Sequence, residues 1–220
     1  ELSATPHIRY SLAVKNSQIR ALARLWPTHV TSAVRTWFAD HATGGVIKNA
    51  TCAGDFDDAA LTAMRYEHPP PDASLLLEGD LVEATVVDVL EGMPPITGIA
   101  GHMRITGRTA AFTATAATTE TAPGRRLSLS QGSFSVMDNA LRPTPATLDI
   151  KVAGSVEAVA DLLRLPSISP YASIPIEPGA LKGNIDGRMR LDFDIGDDAR
   201  DDRMKFWVDA MTSNLSVDPE

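Results

Sequence analysis

The feature that most constrains the fold is an alternating stretch from residue 84 to residue 117. Two turn signals, Gly92-Met93-Pro94-Pro95 and Gly107-Arg108, divide it into three runs in which apolar and polar residues alternate. A period of two is typical of β-strands with one apolar and one solvated face, and such sheets are usually antiparallel. The stretch therefore predicts an antiparallel sheet, and the functional question is what covers its apolar face.

Much of the remaining sequence shows the same alternation. Two segments, 99–105 and 181–191, share an apolar-x-Gly opening that leads into an alternating run. Such a repeat indicates hairpin units and a sheet that grows by addition along one axis. The run around Gly132 predicts either two strands or one bulged strand. The other predicted strand segments, the last of which is one strand or two, lie at 1–16, 46–53, 61–66, 75–77, 81–90, 127–137, 147–153, 181–195 and 205–217.

Ser17 is a capping residue for a short helix through Leu25, and helical signals interrupt the alternation at two other places. Pro27 suits the first turn of a helix that we expect at 27–42, where apolar residues recur at intervals of three and four. Ser155 is a capping residue for a second helix at 155–165. We therefore predict a mainly β fold, a curved antiparallel sheet of repeating hairpins that forms a β-groove, with a few helices.

Composition narrows the range of partners. Lys and Arg number 20 against 28 Asp and Glu, which gives a net charge of −8. Nucleic acids and anionic membrane surfaces attract basic patches, so we expect neither as a direct partner. No run approaches the roughly 20 apolar residues of a membrane-spanning helix. Because the sequence begins at Glu1 and not at a Met, we expect 1–220 to be one fragment of a longer protein, with 1–72 and 73–220 as an alternative division.

The sequence offers no recognisable catalytic or metal-binding motif. Phosphate loops, GxSxG, HExxH and paired CxxC motifs are absent, and the five histidines lack the spacing of metal ligands. Cys52 is the only cysteine, and its strand-like setting favours a buried structural thiol over a nucleophile. The acids between 192 and 202 suit either a calcium site or a solvated turn, and the lack of a Gly-punctuated loop favours the turn. We expect no enzymatic activity, cofactor or metal.

Two interpretations of the apolar face remain open at this point. The strands outnumber the few short helices that are available to cover them. The sheet can fold on itself as a sandwich and close its own core. Alternatively, it can stay open and present an apolar groove.

Several segments resemble the central domain of AsmA-like proteins of the YhdP type. Residues 25–50 contain Leu-Trp-Pro-Thr-His and, further on, Thr-Gly-Gly, which resemble the Trp-Pro helix and the following strand of that domain. Residues 90–101 are similar to its proline-proline and Gly-x-x-Gly hairpin, although Met93 stands where Leu is commoner. Segments 161–166 and 179–183 fit its later helix and strand, so the resemblance spans nearly the whole sequence.

This resemblance implies a bacterial envelope protein that is anchored in the inner membrane and extends across the periplasm. It implies a β-groove segment of a bridge-like protein that moves phospholipid between the inner and outer membranes and supports outer-membrane integrity. Membrane contact would then come through regions outside this fragment, and no catalytic residues are carried over. The alternative is a structural or assembly module of the envelope, with a closed β core and a protein partner.

In the groove interpretation, alternate residues of the central and late strands, those on the apolar side of the sheet, contact phospholipid or another lipid with acyl chains. Acyl chains need only a continuous apolar lining, and each buried CH₂ group contributes about 0.8 kcal/mol. The predicted lipid-binding residues are Val87, Val89, Met103, Ile105, Phe112, Leu191 and Phe193.

Overall fold

The computed structural model describes residues 6–25, 32–89, 91–170, 177–195 and 204–217. Across these ranges the chain forms a single antiparallel sheet of nine strands, and the order of the strands in the sheet is their order in the sequence. The sheet is not closed into a barrel, which confirms the prediction of a mainly β fold built from successive hairpins. The strands are β1 Ile8–Gln18, β2 Ala42–Phe56, β3 Leu75–Val86, β4 Ile96–Thr106, β5 Ala110–Ala122, β6 Arg125–Val136, β7 Thr144–Ser155, β8 Leu181–Ile195 and β9 Lys205–Val217.

Four short α-helices accompany the described sheet: α1 Ile19–Leu25, α2 Ser32–His41, α3 Asp58–Arg65 and α4 Val156–Leu163. The α4 helix confirms the prediction at 155–165, because the Ser155 hydroxyl accepts a hydrogen bond from the Ala158 backbone N–H at 3.2 Å. The α2 helix lies inside the predicted range 27–42, whose first residues fall outside the described ranges.

The predicted strand at 61–66 is wrong, because these residues belong to α3 and the turn that follows it. The Asp57 carboxylate accepts a hydrogen bond from the Ala60 backbone N–H at 2.8 Å and so caps the start of the helix. Leu61 and Met64, three residues apart, then pack against the core. In so short a run, alternation and helical spacing overlap, and the cap decides between them.

Glycine marks a close approach of strands where the sequence suggested a break. The predicted strands at 75–77 and 81–90 are one strand, β3, which ends at Val86. A Cβ atom on Gly79 would lie 3.1 Å from the Asn49 carbonyl oxygen, so the glycine lets β2 pack closely against β3. The run 127–137 is one strand, β6, with a register shift at Gln131, whose φ is 48°.

The described hydrophobic core consists of a large cluster and a small one. In the large cluster, buried residues of β2 to β5 pack with Ile19 of α1 and Ala60 of α3. The small cluster joins Val156 and Ala160 of α4 to Leu181 of β8. Among the described helices, α1 and α3 thus contribute buried residues to the core at β2 to β5, whereas α4 packs against β8.

Candidate functional site

One face of the sheet carries a continuous row of large apolar side chains. Strand register places one large apolar residue of each strand from β4 to β9 directly opposite the next. The pairs are Met103–Phe112, Phe112–Phe134, Phe134–Leu148, Leu148–Leu191 and Leu191–Phe206. We call this set the central row and the side of the sheet that carries it the apolar face. With neighbouring strands about 4.8 Å apart, its five intervals span about 24 Å. From β4 to β9 the central row is Met103, Phe112, Phe134, Leu148, Leu191 and Phe206.

A second row runs beside the central row on the same face. It begins at Ile105 in β4 and ends at Phe193 in β8. Between them lie Ala110, Val136 and Ala146 in successive strands. The two rows touch where the ring centroids of Phe134 and Phe193 lie 6.5 Å apart.

Five of the seven residues predicted to bind lipid lie on these two rows. Met103, Phe112 and Leu191 belong to the central row, and Ile105 and Phe193 end the second row. The structure thus brings residues from β4, β5 and β8 onto one face.

The other two predicted residues, Val87 and Val89, lie in the connection after β3. The Val87 N–H donates to the His41 carbonyl oxygen at 3.0 Å. The His41 ring nitrogen Nδ1 lies 2.9 Å from the Val87 carbonyl oxygen. This pair of contacts ties the end of α2 to the connection that follows β3. Val89 is 37% exposed.

Sequence reasoning missed three members of the central row: Phe134, Leu148 and Phe206. Phe134 follows the bulge at Gln131, which interrupts the simple alternation of side chains between the two faces of β6. The alternation of Leu148 with its neighbours was visible in the sequence, but its alignment with Leu191 depends on the β7–β8 register. Alternation within a strand shows which residues share its apolar side. It does not show which of them lie next to one another on neighbouring strands, because that depends on the register between the strands.

The apolar face is closed in the region formed by β2 to β5. Leu77, Met103 and Ile105 are only 3%, 5% and 6% exposed. Small residues between the large ones allow this packing, since a Cβ atom on Gly101 would lie 3.0 Å from the Phe112 ring and 2.2 Å from the Thr113 carbonyl oxygen. We call β2 to β5, with α1 to α3, the closed region.

The same face is open in the region formed by β7 to β9. Among the described residues of these three strands, only Ala146 and Leu181 are buried. Leu148 and Leu191 are half-buried, and Phe206 is 43% exposed. We call these strands the open region, and β6 lies between the two regions.

The opposite face is polar and is bridged by charged pairs between neighbouring strands. His102 Nδ1 lies 2.9 Å from an Asp80 carboxylate oxygen, and this hydrogen bond holds the pKa of Asp80 below its ordinary value. These exposed side chains solvate the sheet and leave the apolar face as its only extensive apolar surface among the described residues. The pairs across adjacent strands are Glu78–Arg104, Asp80–His102, Asp149–Arg188 and Lys151–Asp186.

The described residues hold no evident reactive centre. Cys52 is half-buried, its Sγ lies 3.7 Å from the Tyr10 hydroxyl, and burial raises the pKa of the thiol. A raised pKa keeps the thiol protonated and weakly nucleophilic at neutral pH. No group of three or more His, Cys, Asp or Glu converges within the described ranges. The acidic segment 196–203, considered above as a calcium site, lies outside them.

None of the described helices has the length and apolar character needed to span a membrane. Comparisons with protein-family models, with curated proteins and with solved structures give no match. Functional proposals for this chain therefore rest on its fold, its apolar face and the sequence resemblance.

Proposed function

We propose that this chain is a β-groove segment of an AsmA-like, inner-membrane-anchored envelope protein that carries phospholipid across the periplasm. In this proposal the acyl chains lie on the open region of the apolar face. The role is binding and guidance of lipid, without catalysis or a cofactor. The observation that carries the proposal is the central row, which continues through β7, β8 and β9, where its members Leu148 and Leu191 are half-buried and Phe206 is 43% exposed.

The dimensions of the central row support this role. The row spans about 24 Å across the strands. One leaflet of a bilayer's hydrocarbon core is about 15 Å thick, half of the roughly 30 Å of the whole core. In the open region the row covers the two intervals from Leu148 to Phe206, about 10 Å, so about two thirds of an extended acyl chain that lies across the strands can contact apolar side chains. Its path follows the direction in which the sheet grows, as a groove through repeated hairpins requires.

The chemistry of the row also suits an acyl chain. Leu148, Leu191 and Phe206 present only carbon to the apolar face, and the charged residues of β8 point to the opposite face by strand alternation. Leu191 lies between Arg190 and Asp192 in sequence, yet those two side chains contact each other through the Arg190 Nε at 3.2 Å. The lipid path thus excludes charge, while the headgroup can remain at the solvated margin.

The closed region favours a second candidate function for part of the chain. Leu77, Met103 and Ile105 are buried in a helix-covered core, as expected of a structural or assembly module. We propose that β2 to β5 anchor the fold and that lipid contact is restricted to the late strands. A purely structural module, with a protein partner on the apolar face, remains the competing proposal.

Mass spectrometry of lipid that co-purifies with the folded chain tests the lipid proposal. We expect phospholipid with the native sequence and at least about tenfold less with Leu148→Asp, because a carboxylate in the path is costly to desolvate. The matched control is Lys151→Ser, which changes the opposite face of the same strand and should retain the lipid. Equal lipid in all three proteins, or none in the native protein, would contradict the proposal.

A further inference from the structure

The α4 helix is held to the sheet by few apolar contacts among the described residues. Its buried cluster joins Val156 and Ala160 to Leu181 of β8, and this cluster is separate from the large one at β2 to β5. Leu162, in the second half of α4, lines a cleft of about 230 Å³ that the connection after β3 and the end of β5 also border. An element with few buried apolar contacts and incomplete packing has low local stability.

Two buried polar atoms add to this weakness. The Thr119 hydroxyl and the Glu157 carboxylate oxygen Oε2 are buried, and neither has a hydrogen-bond partner in the part of the chain that the structure describes. Glu157 lies in the first turn of α4, and Thr119 lies two residues before Thr121, whose hydroxyl donates to α4. A buried polar group without a partner is destabilising. Water can bind the Glu157 oxygen once α4 leaves the sheet, which lowers the cost of that movement.

Polar contacts at the second half of α4 oppose the movement. The Asp161 carboxylate accepts hydrogen bonds from the Thr121 hydroxyl at 2.8 Å and from Arg125 Nη1 at 2.8 and 3.1 Å. The Arg125 and Asp161 side chains are only 32% and 21% exposed, so solvent screens this pair less than a surface pair. Arg164 donates to Glu177 through two N–H groups, each at 2.6 Å, and joins the end of α4 to the segment before β8.

We infer that α4 is a lid over one end of the apolar face, held closed by the Asp161–Arg125 pair. The lid covers Leu181 and Ile185 of β8. Ile185 lies on the same face of β8 as Leu191, because the two positions are an even number of residues apart in a regular strand. Movement of α4 therefore widens the apolar surface of the open region. The movement itself does not depend on lipid, whereas its role in admitting lipid rests on the function proposed above.

Hydrogen exchange of the lipid-free chain, followed by mass spectrometry, tests the lid. Asp161→Asn removes the charge and keeps the size of the side chain, so exchange in α4 should become at least about tenfold faster. The matched control is Arg126→Ser, which breaks the neighbouring Arg126–Glu120 pair and should leave exchange in α4 unchanged. Exchange in α4 that is the same in Asp161→Asn and the native chain, or that rises equally in the control, would overturn the inference. So would faster exchange in β3, because the pair would then hold the whole fold.

Binding of a fluorescent fatty acid separates the lid from the proposed function. The apparent affinity of a ligand falls with the fraction of molecules in the binding state, so Asp161→Asn should bind at least about threefold more tightly than the native chain or Arg126→Ser. Faster exchange in α4 without any binding would support the lid and contradict the lipid proposal. Binding without a response of α4 to Asp161→Asn would contradict the lid alone. Faster exchange with equal binding would overturn its role in admitting lipid.

Discussion

The closed and open regions share one sheet and one pattern of alternation, yet they differ in what covers the apolar face. In the closed region, α1 to α3 lie over β2 and its neighbours, and Ile105 is 6% exposed. In the open region, α4 packs against Leu181 and Ile185, and Leu191 stays half-buried on the same face. Alternation therefore predicts which side of a strand is apolar, but the placement of helices decides whether that side becomes core or surface.

The largest expected difference between the two regions comes from a buried charge. Ile105→Asp places a carboxylate in the closed region without a partner, and we expect it to cost about 4 kcal/mol or to prevent folding. Leu191→Asp places the same group in the open region, where solvent reaches it, and should cost about 1 kcal/mol or less. Urea denaturation of both variants measures the difference. Equal losses would mean that the two regions are equally closed.

Truncation of a side chain should give a smaller difference in the same direction. Leu77→Ala removes a side chain that is 3% exposed, and we expect a loss of about 3 kcal/mol because a cavity remains. Leu148→Ala removes a half-buried side chain from the open region and should cost about 1 kcal/mol. Thermal unfolding followed by circular dichroism compares them. A larger loss for Leu148→Ala would place the main core in the late strands.

Helix caps offer a control in which the two regions should behave alike. Asp57 caps α3 beside the closed region, and Ser155 caps α4 beside the open region. Each accepts one hydrogen bond from a backbone N–H, so Asp57→Ala and Ser155→Ala should each cost about 1 kcal/mol. A much smaller cost for Ser155→Ala, again by urea denaturation, would show that α4 contributes little to the fold.

The smallest expected effect is on acid sensitivity. The Ala140 backbone N–H and the Arg108 guanidinium hold the pKa of Asp138 below its ordinary value. Such a group stabilises the fold above its unfolded pKa of about 3.9, and that contribution is lost as the pH falls through the lower folded pKa. Asp138→Asn should therefore reduce stability at pH 6 slightly and flatten its decline as the pH falls below about 4. An unchanged slope would remove Asp138 from this account.

The sequence predicted the parts of the fold in which one local signal dominates. The alternation from Leu181 to Ile195 predicts β8 with its observed bounds, and Ser155 predicts the start of α4. The predicted strand at 61–66 is wrong because a six-residue run fits two periods, and the Asp57 cap favours the helix.

The candidate site was less accessible to sequence reasoning, because it depends on register and cover. Phe134 joins the central row only after the bulge at Gln131 resets the parity of β6. Val87 lies just past the end of β3, in the connection where it contacts His41. The difference between Met103, which is 5% exposed, and half-buried Leu191 follows from where the helices lie, which alternation within a strand does not encode.

The central claim is that acyl chains bind the open region of the apolar face, and displacement of a fluorescent fatty acid by phospholipid tests it most directly. The native chain, Leu191→Asp and the control Arg190→Ser, which alters the opposite face one residue away, are compared after circular dichroism shows that each is folded. We predict that the native chain and Arg190→Ser bind alike and that Leu191→Asp binds at least about tenfold more weakly. A folded Leu191→Asp variant that binds lipid as well as the native chain would contradict the account.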